Sequence, residues 1–140
     1  MNNRLFGTDG IRGTPGEYPL TDEIIFKIGR ATAELSLNHD GKNSKIIIGK
    51  DTRLSCEKIE KLLANGISSC GLKTLLTGTI STPGLAFLTK RFNGAMGLMI
   101  SASHNDAQDN GIKFFSAEGS KLSTAEEKQI EDSVHTYSLE

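Results

Sequence analysis

The feature that most constrains this chain is the alternation of short apolar strands with amphipathic helices. Residues 45–49, KIIIG, and 95–100, AMGLMI, are apolar runs of the kind found in strands that are covered on both faces. Between them the sequence predicts a helix at 55–70, a strand at 72–76 and a helix at 82–92. Strands that alternate with helices in this order indicate an α/β domain whose parallel strands are joined by right-handed crossovers.

Local signals predict where these helices begin and end. Ser55 is expected to cap the helix at 55–70, and Gly71 to stop it. Thr82 is expected to cap the next helix, with Pro83 at its first position. Two more helices flank the alternation. One opens at Thr21 with acidic residues in its first turn and ends within 38–41, and the other runs from residue 123 or 124 to about 137.

A further strand is predicted soon after AMGLMI. Ile112 to Phe115 follow it too closely for a crossover helix, so this strand is expected to return antiparallel, after a loop of about ten residues. We therefore expect a three-layer α/β/α domain. Its sheet should be mixed and mostly parallel, with about four strands and an antiparallel edge strand.

Composition and charge exclude several classes of function. The chain has 140 residues, 16 of them basic and 17 acidic, and no basic stripe that would attract a nucleic-acid backbone. No apolar run approaches the ~18 residues of a membrane span, and the first residues do not resemble a secretory signal. Cys56 and Cys70 fall on the same predicted helix, too far apart for a disulfide, and they lack the spacing of a zinc site. We therefore expect a cytoplasmic protein with two reduced thiols.

The polar stretch SASHNDAQDNGIK, residues 101–113, follows an apolar strand, where the ligand sites of α/β sheets gather. Ser103 and His104 are neighbours, so they are poorly placed to act as a hydrolase dyad. A phosphoryl-bearing Ser103 fits better, with Lys113 on the returning strand as a charge partner. The alternative is that Ser103 is a turn residue and Lys113 a solvated charge.

A second candidate segment lies near the N-terminus. In FGTDGIRG, residues 6–13, Thr8, Asp9 and Arg12 lie among glycines that allow the backbone to approach a ligand closely. The alternative interpretation is a tight turn with one surface ion pair. These residues alone indicate an α/β domain with a polar site that could bind phosphate.

Three linked motifs resemble the first domain of the α-D-phosphohexomutase family. They are FGTDGIRG at 6–13, SASHN at 101–105 and DNGIKFF at 109–115, and two supporting stretches, GKDTRLS at 49–55 and STP at 81–83, occur in the same order. The resemblance covers nearly the whole chain. It implies an intramolecular phosphoryl shift between the 6- and 1-hydroxyls of a hexosamine phosphate, through a hexosamine bisphosphate intermediate that also serves as activator.

The resemblance also implies a role for each matching residue. Ser103 would be the phosphoserine, and Lys113 would assist proton transfer or neutralise the transferred group. Arg12 would hold phosphate or sugar oxygens, for which a forked guanidinium is well suited. His104 and Asn105 would steady the phosphate loop, which Thr8 and Asp9 would help to form.

Two departures from the family pattern accompany the resemblance. The family usually has proline where this chain has Asp106, so a fixed φ is lost and a negative charge is gained near the phosphoryl group. The family's aspartate-rich Mg²⁺ loop and its other domains have no counterpart here. A phosphate oxygen on Ser103 would supply one Mg²⁺ ligand, and one is too few.

We therefore expect residues 1–140 to be domain I of a longer parent, with the phosphosugar and the remaining domains as its partners. The isolated domain is expected to be inactive. Two alternatives stay open: a family member that acts on another hexose phosphate, and a noncatalytic module that binds phosphate or a protein.

Overall fold

The computed structural model describes residues 4–40, 44–103 and 105–137, and within them five strands form one mixed sheet against which four helices pack. In chain order the elements are β1 (Ile11–Gly13), α1 (Asp22–Asp40), β2 (Lys45–Lys50), α2 (Cys56–Ser68), β3 (Lys73–Thr79), α3 (Thr82–Arg91), β4 (Met96–Ile100), β5 (Asn110–Ser116) and α4 (Thr124–Thr136). The strand order across the sheet is β1-β5-β4-β2-β3.

The sheet is parallel on one side and antiparallel on the other. β2 pairs in parallel with both β3 and β4, whereas β5 runs antiparallel to β4 and to β1. In the β4–β5 ladder Ile100 pairs with Ile112, and Met99 pairs with Lys113. Since every second residue of a strand shares a face, Lys113 lies on the opposite face from Ile112 and Phe114.

Helices cover both faces of the sheet, and the three-layer architecture is confirmed. α1 packs against α2 and α4 on one face, over a large core that includes Ile46, Leu98 and Ile112. α3 covers the other face, over a smaller cluster formed by Ile47, Leu85 and Met99. All five residues of β4 are buried, as its apolar sequence predicts. Among the described residues no helix combines the length and apolar character needed to cross a membrane.

The mixed sheet with an antiparallel edge strand is confirmed, but β1 itself was not predicted. β5 lies inside the sheet, and the antiparallel edge strand is β1. β1 has only three residues, which are too few to show the alternation that marks a strand. The pairing of Ile11 with Ile112, across a hundred residues of sequence, creates β1, and no local signal encodes such a contact.

The predicted helix ends were close, with small differences at the caps. α3 is capped by Ser81, whose hydroxyl accepts a hydrogen bond from the Gly84 N–H, so Thr82 is the first helical residue. The Ser55 hydroxyl does not cap α2, because Ser55 has helical backbone angles and not the extended ones that a capping residue adopts; its hydroxyl accepts a hydrogen bond from the Asn110 side chain. α2 ends at Ser68, so Cys70 lies beyond it, and both cysteines are free thiols.

Candidate active site

The candidate site lies where β1, β2 and β4 end and β5 begins. The loop that connects β4 to β5, residues 101–109, carries Ser103, and this loop is called the serine loop below. Gly111 of β5 lets this region pack closely, since a Cβ there would lie 2.9 Å from the Ile11 carbonyl oxygen and 3.0 Å from that of Ser101. The strands β1 and β5 and the start of the serine loop therefore come together with no side chain between them.

Ser103 and Lys113 are in direct contact. The Lys113 Nζ donates a hydrogen bond of 2.8 Å to the Ser103 Oγ, and Ser103 is exposed to solvent. Ser103 has a φ of 50°, in the left-handed region that residues with a side chain seldom adopt. An ammonium group thus faces an accessible hydroxyl that is held on a strained piece of backbone.

Ser101 is placed very differently from Ser103. It is only 6% exposed, its Oγ accepts a hydrogen bond of 3.1 Å from the Ser103 N–H, and its hydroxyl bonds to Asp51. Its polar groups are therefore engaged within the protein. Of the two serines in SASHN, Ser103 is the one that a ligand can reach.

Arg12 reaches the serine loop from β1. It pairs with Gly111, so it shares a face of the sheet with Lys113. Its Nη1 donates a hydrogen bond of 3.2 Å to the Asn105 Oδ1, and its Nη2 lies 3.7 Å from the Asp9 Oδ2. The buried Nε has no hydrogen-bond partner among the described residues. Arg12 therefore retains donor capacity that a bound anion could use.

The other predicted site residues differ in how close they lie to the group formed by Ser103, Lys113 and Arg12. Asp9 and Asn105 are exposed and belong to it through Arg12. Thr8 is also exposed, and its carbonyl oxygen accepts a hydrogen bond from Lys121, so it lies beside the group and not within it. His104 lies outside the described residues.

The arginine with the most contacts to the serine loop, Arg53, is not among the site residues predicted from the sequence. Arg53 follows β2, and its Nη2 donates to the carbonyl oxygens of Ser103 at 2.9 Å and Asn105 at 3.2 Å. Its Nη1 donates to the carbonyl oxygens of Asp106 and Asp109, and its Nε lies 3.3 Å from the Asp51 Oδ2. The motif GKDTRLS was the available signal, but its spacing alone does not show where the arginine points.

A small polar network underlies the serine loop. Asn110 is fully buried, and its Nδ2 donates to the Ser55 Oγ at 2.8 Å and to the Cys56 Sγ at 3.3 Å. Its Oδ1 accepts a hydrogen bond from the Gly111 N–H, and the Cys56 thiol donates to the Asp51 Oδ1 at 3.1 Å. The network connects the end of β2, the start of α2 and the start of β5.

Two pKa values in this network are shifted. Burial tends to raise the pKa of Asp51, but hydrogen bonds from the Arg53 N–H, Cys56, Ser101 and the Arg53 guanidinium outweigh it and lower the pKa. Burial raises the pKa of the Cys56 thiol, with the neighbouring Asp51 carboxylate adding to the shift. At neutral pH the network therefore contains a carboxylate that accepts hydrogen bonds and a protonated thiol that donates one.

An open groove of about 840 Å³ adjoins the serine loop, lined among others by Thr14, Arg53, Leu54, Ser103 and Asn105. Its size lies within the usual range for small-molecule sites. Among the described residues no group of three or more His, Cys, Asp and Glu side chains could hold a metal ion. These residues do not form a magnesium site by themselves, because Mg²⁺ requires near-octahedral coordination by oxygen.

Comparison with known proteins identifies the family of the chain. A family profile described as "Phosphoglucomutase/phosphomannomutase, alpha/beta/alpha domain I" matches residues 3–140. The chain belongs to this family. The resemblance drawn from the three motifs is thereby confirmed, and the match includes both β1 and the serine loop.

Curated relatives share about half of their aligned residues with the chain. The phosphoglucosamine mutase of Syntrophus aciditrophicus is 52% identical over 131 residues, and that of Escherichia coli O1:K1 is 48% identical over 130 residues. These alignments cover 94% and 93% of the chain but only 29% of each relative. The chain therefore spans less than a third of the length of these relatives.

Solved structures share the fold. A putative phosphomannomutase from Thermus thermophilus superimposes with a TM-score of 0.82 and 32% identity, over 92% of the chain and 29% of that protein. A phosphoglucomutase/phosphomannomutase family protein from Burkholderia thailandensis gives a TM-score of 0.80 at 21% identity, which shows the fold alone.

Proposed function

We propose that the chain is the first domain of a phosphoglucosamine mutase, residues 1–140 of a longer parent, and that Ser103 is its phosphoryl carrier. The enzyme would interconvert glucosamine 6-phosphate and glucosamine 1-phosphate through a hexosamine bisphosphate. The observation that carries this proposal is the 2.8 Å contact between the Lys113 Nζ and the exposed Ser103 Oγ. The relatives that are called phosphoglucosamine mutase support this choice of substrate.

The transfer itself is a displacement at phosphorus. A sugar hydroxyl oxygen attacks the phosphorus of phosphorylated Ser103, its bond to phosphorus forms, and the bond from the Ser103 Oγ to phosphorus breaks. The sugar hydroxyl passes its proton to solvent, and the Ser103 Oγ regains one from the Lys113 ammonium group, which takes a proton from solvent in turn. The bisphosphate then reorients in the site, so that its other phosphate faces Ser103. The reverse transfer returns that phosphoryl group to Ser103.

Lys113 acts on the oxygen that leaves. In the structure the hydroxyl oxygen of Ser103 occupies the place of the bridging oxygen of a phosphoserine. A positive charge within hydrogen-bond distance stabilises the negative charge that develops on this oxygen as its bond to phosphorus breaks. The same ammonium group is positioned to donate the proton that the Ser103 Oγ regains.

Arg12 supplies the anion-binding part of the site. Its buried Nε has no partner among the described residues, and the N–H donors not used by Asn105 can bind a phosphate or sugar oxygen. Asn105 orients the guanidinium, and Asp9 lies on its other side. Thr8 and His104 remain candidates for the rim of the same site.

The other Mg²⁺ ligands and the residues that recognise the sugar are expected to come from outside the described residues. Mg²⁺, if the parent uses it, would take a phosphate oxygen of Ser103 and further ligands from the remaining domains of the parent. Those domains would also recognise the sugar, and we expect the enzyme to be cytoplasmic. The 140-residue chain by itself is therefore expected to show no enzyme-like turnover of glucosamine phosphates.

Turnover assays of the longer protein test the function. The wild type should interconvert the two glucosamine phosphates, whereas Ser103→Ala should lose at least about 10³-fold in kcat, as enzymes do without their nucleophile. The matched control is Ser68→Ala, which alters an exposed serine at the far end of α2 and should keep wild-type turnover. Full turnover by Ser103→Ala would contradict the proposal.

The same assay separates the alternatives. Preferred turnover of mannose or glucose phosphates by the wild type would indicate a phosphomannomutase or phosphoglucomutase. Absence of turnover with any hexose phosphate, together with retained phosphate binding, would indicate a noncatalytic binding module.

A further inference from the structure

The side chain of Arg53 uses its donors entirely within the protein. A guanidinium has five N–H groups, and the structure gives Arg53 five acceptors: the Asp51 carboxylate and the carbonyl oxygens of Ser103, Asn105, Asp106 and Asp109. The side chain is only 12% exposed. Although Arg53 lines the groove beside Ser103, it has no N–H left for a substrate phosphate.

These contacts act on the backbone of the serine loop. Four carbonyl oxygens from a stretch of seven residues, 103–109, converge on one planar group. Ser103, with its φ of 50°, is held from both sides, since its carbonyl oxygen accepts from Arg53 and its N–H donates to Ser101. A strained backbone conformation of this kind persists only where several contacts enforce it.

Arg53 is itself held in place. Asp51 accepts hydrogen bonds from the Arg53 N–H at 3.0 Å and from its Nε, and the Asp51 N–H donates to the Ile100 carbonyl oxygen at the end of β4. Asp51 also accepts from Cys56, at the start of α2. The guanidinium is thus connected to the ends of β2 and β4 and not only to the loop that it contacts.

We propose that Arg53 is a positioning residue that holds the serine loop so that the Ser103 hydroxyl faces Lys113. Its relevance to phosphoryl transfer rests on the function proposed above. Arg53 also gives the loop a constraint at Asp106, where the family usually has proline, because the Asp106 carbonyl oxygen is one of its four acceptors. A lysine cannot replace it, since a single ammonium group cannot reach acceptors arranged around a planar fork.

Hydrogen exchange of the 140-residue chain tests the positioning. Arg53→Lys, which keeps the charge, should speed exchange of the described amide groups in 103–109 at least about 10-fold, while those of β4 and α1 keep wild-type rates. The matched control is Arg30→Lys, which alters a partly buried arginine on α1 that contacts Glu34 and Tyr137. Unchanged exchange in the loop, or equal acceleration across the whole domain, would overturn the proposal.

Kinetics of the longer protein distinguish positioning from substrate binding. Arg53→Lys should lower kcat about 10²-fold, the effect expected when a reacting group is misplaced, and change KM less than about 2-fold. A raised KM with unchanged kcat would show that Arg53 binds substrate, and unchanged kcat and KM would remove its role altogether. If the wild-type protein turned over no sugar phosphate, the proposed function would fail, while the exchange experiment would still report on the loop.

Discussion

Arg53 and Arg12, the two arginines that contact the serine loop, differ in how many of their N–H donors bind acceptors within the protein. Arg53 has all five donors engaged and a side chain that is 12% exposed, whereas Arg12 is 32% exposed and its buried Nε has no partner among the described residues. The difference separates two regions. A satisfied network beneath the loop, around Asp51, Arg53 and Asn110, fixes geometry, and an open rim above it, with Arg12 and Lys113, keeps charge available for a ligand.

The largest expected effect tests the rim. Lys113→Met preserves much of the side chain's length but removes the ammonium group that contacts the Ser103 Oγ, so kcat of the longer protein should fall about 10²–10³-fold. The free energy of unfolding should change little, because Lys113 is only partly buried. Steady-state kinetics and chemical denaturation of the same variant measure both quantities. A loss of stability with unchanged kcat would place Lys113 in the underlying network instead.

A smaller effect tests the network beneath the loop. Asn110→Ala removes a fully buried amide and leaves Ser55 and the Gly111 N–H without a partner, so the chain should lose about 2–3 kcal/mol of unfolding free energy. The matched rim variant is Asn105→Ala. Because the Asn105 side chain is exposed, this change should lower the free energy of unfolding by less than about 0.5 kcal/mol. Urea denaturation of both variants measures the contrast. Equal losses would mean that the two regions do not differ as described.

The smallest effect is a dependence on pH. The pKa of Asp51 is lowered in the folded protein, so this carboxylate stabilises the fold above its unfolded pKa of about 3.8, and the contribution is lost as pH falls through the lower folded value. Asp51→Asn should therefore flatten the decline in stability that acid causes below about pH 4. Denaturation midpoints measured from neutral to strongly acidic pH provide the comparison. Parallel curves for wild type and variant would contradict the lowered pKa.

Sequence patterns were sufficient for the parts of this molecule that are encoded locally. The strands KIIIG and AMGLMI and the helix caps at Ser81 and Ser123 were located within a residue or so, because apolar runs and capping residues act over short distances. The position of Lys113, on the returning strand next to the serine loop, also followed from the short spacing between the two strands.

What the sequence did not reveal depends on contacts between distant segments. β1 exists because Ile11 meets Ile112, and Arg53 matters because its side chain turns toward carbonyl oxygens some fifty residues away. Backbone carbonyls carry no sequence signature, so a residue whose partners are mostly backbone carbonyls cannot be recognised from motif spacing. The open rim was therefore easier to predict than the network that supports it.

The central claim is that Ser103, and not Ser101, receives the phosphoryl group, because only Ser103 is exposed and faces the Lys113 ammonium. The most direct test is to incubate the longer protein with a hexosamine 1,6-bisphosphate and to map the added phosphate by mass spectrometry. We predict stoichiometric phosphate on Ser103 and none on Ser101. Phosphate on Ser101, or an unmodified loop in a protein that still turns over glucosamine phosphates, would contradict the claim.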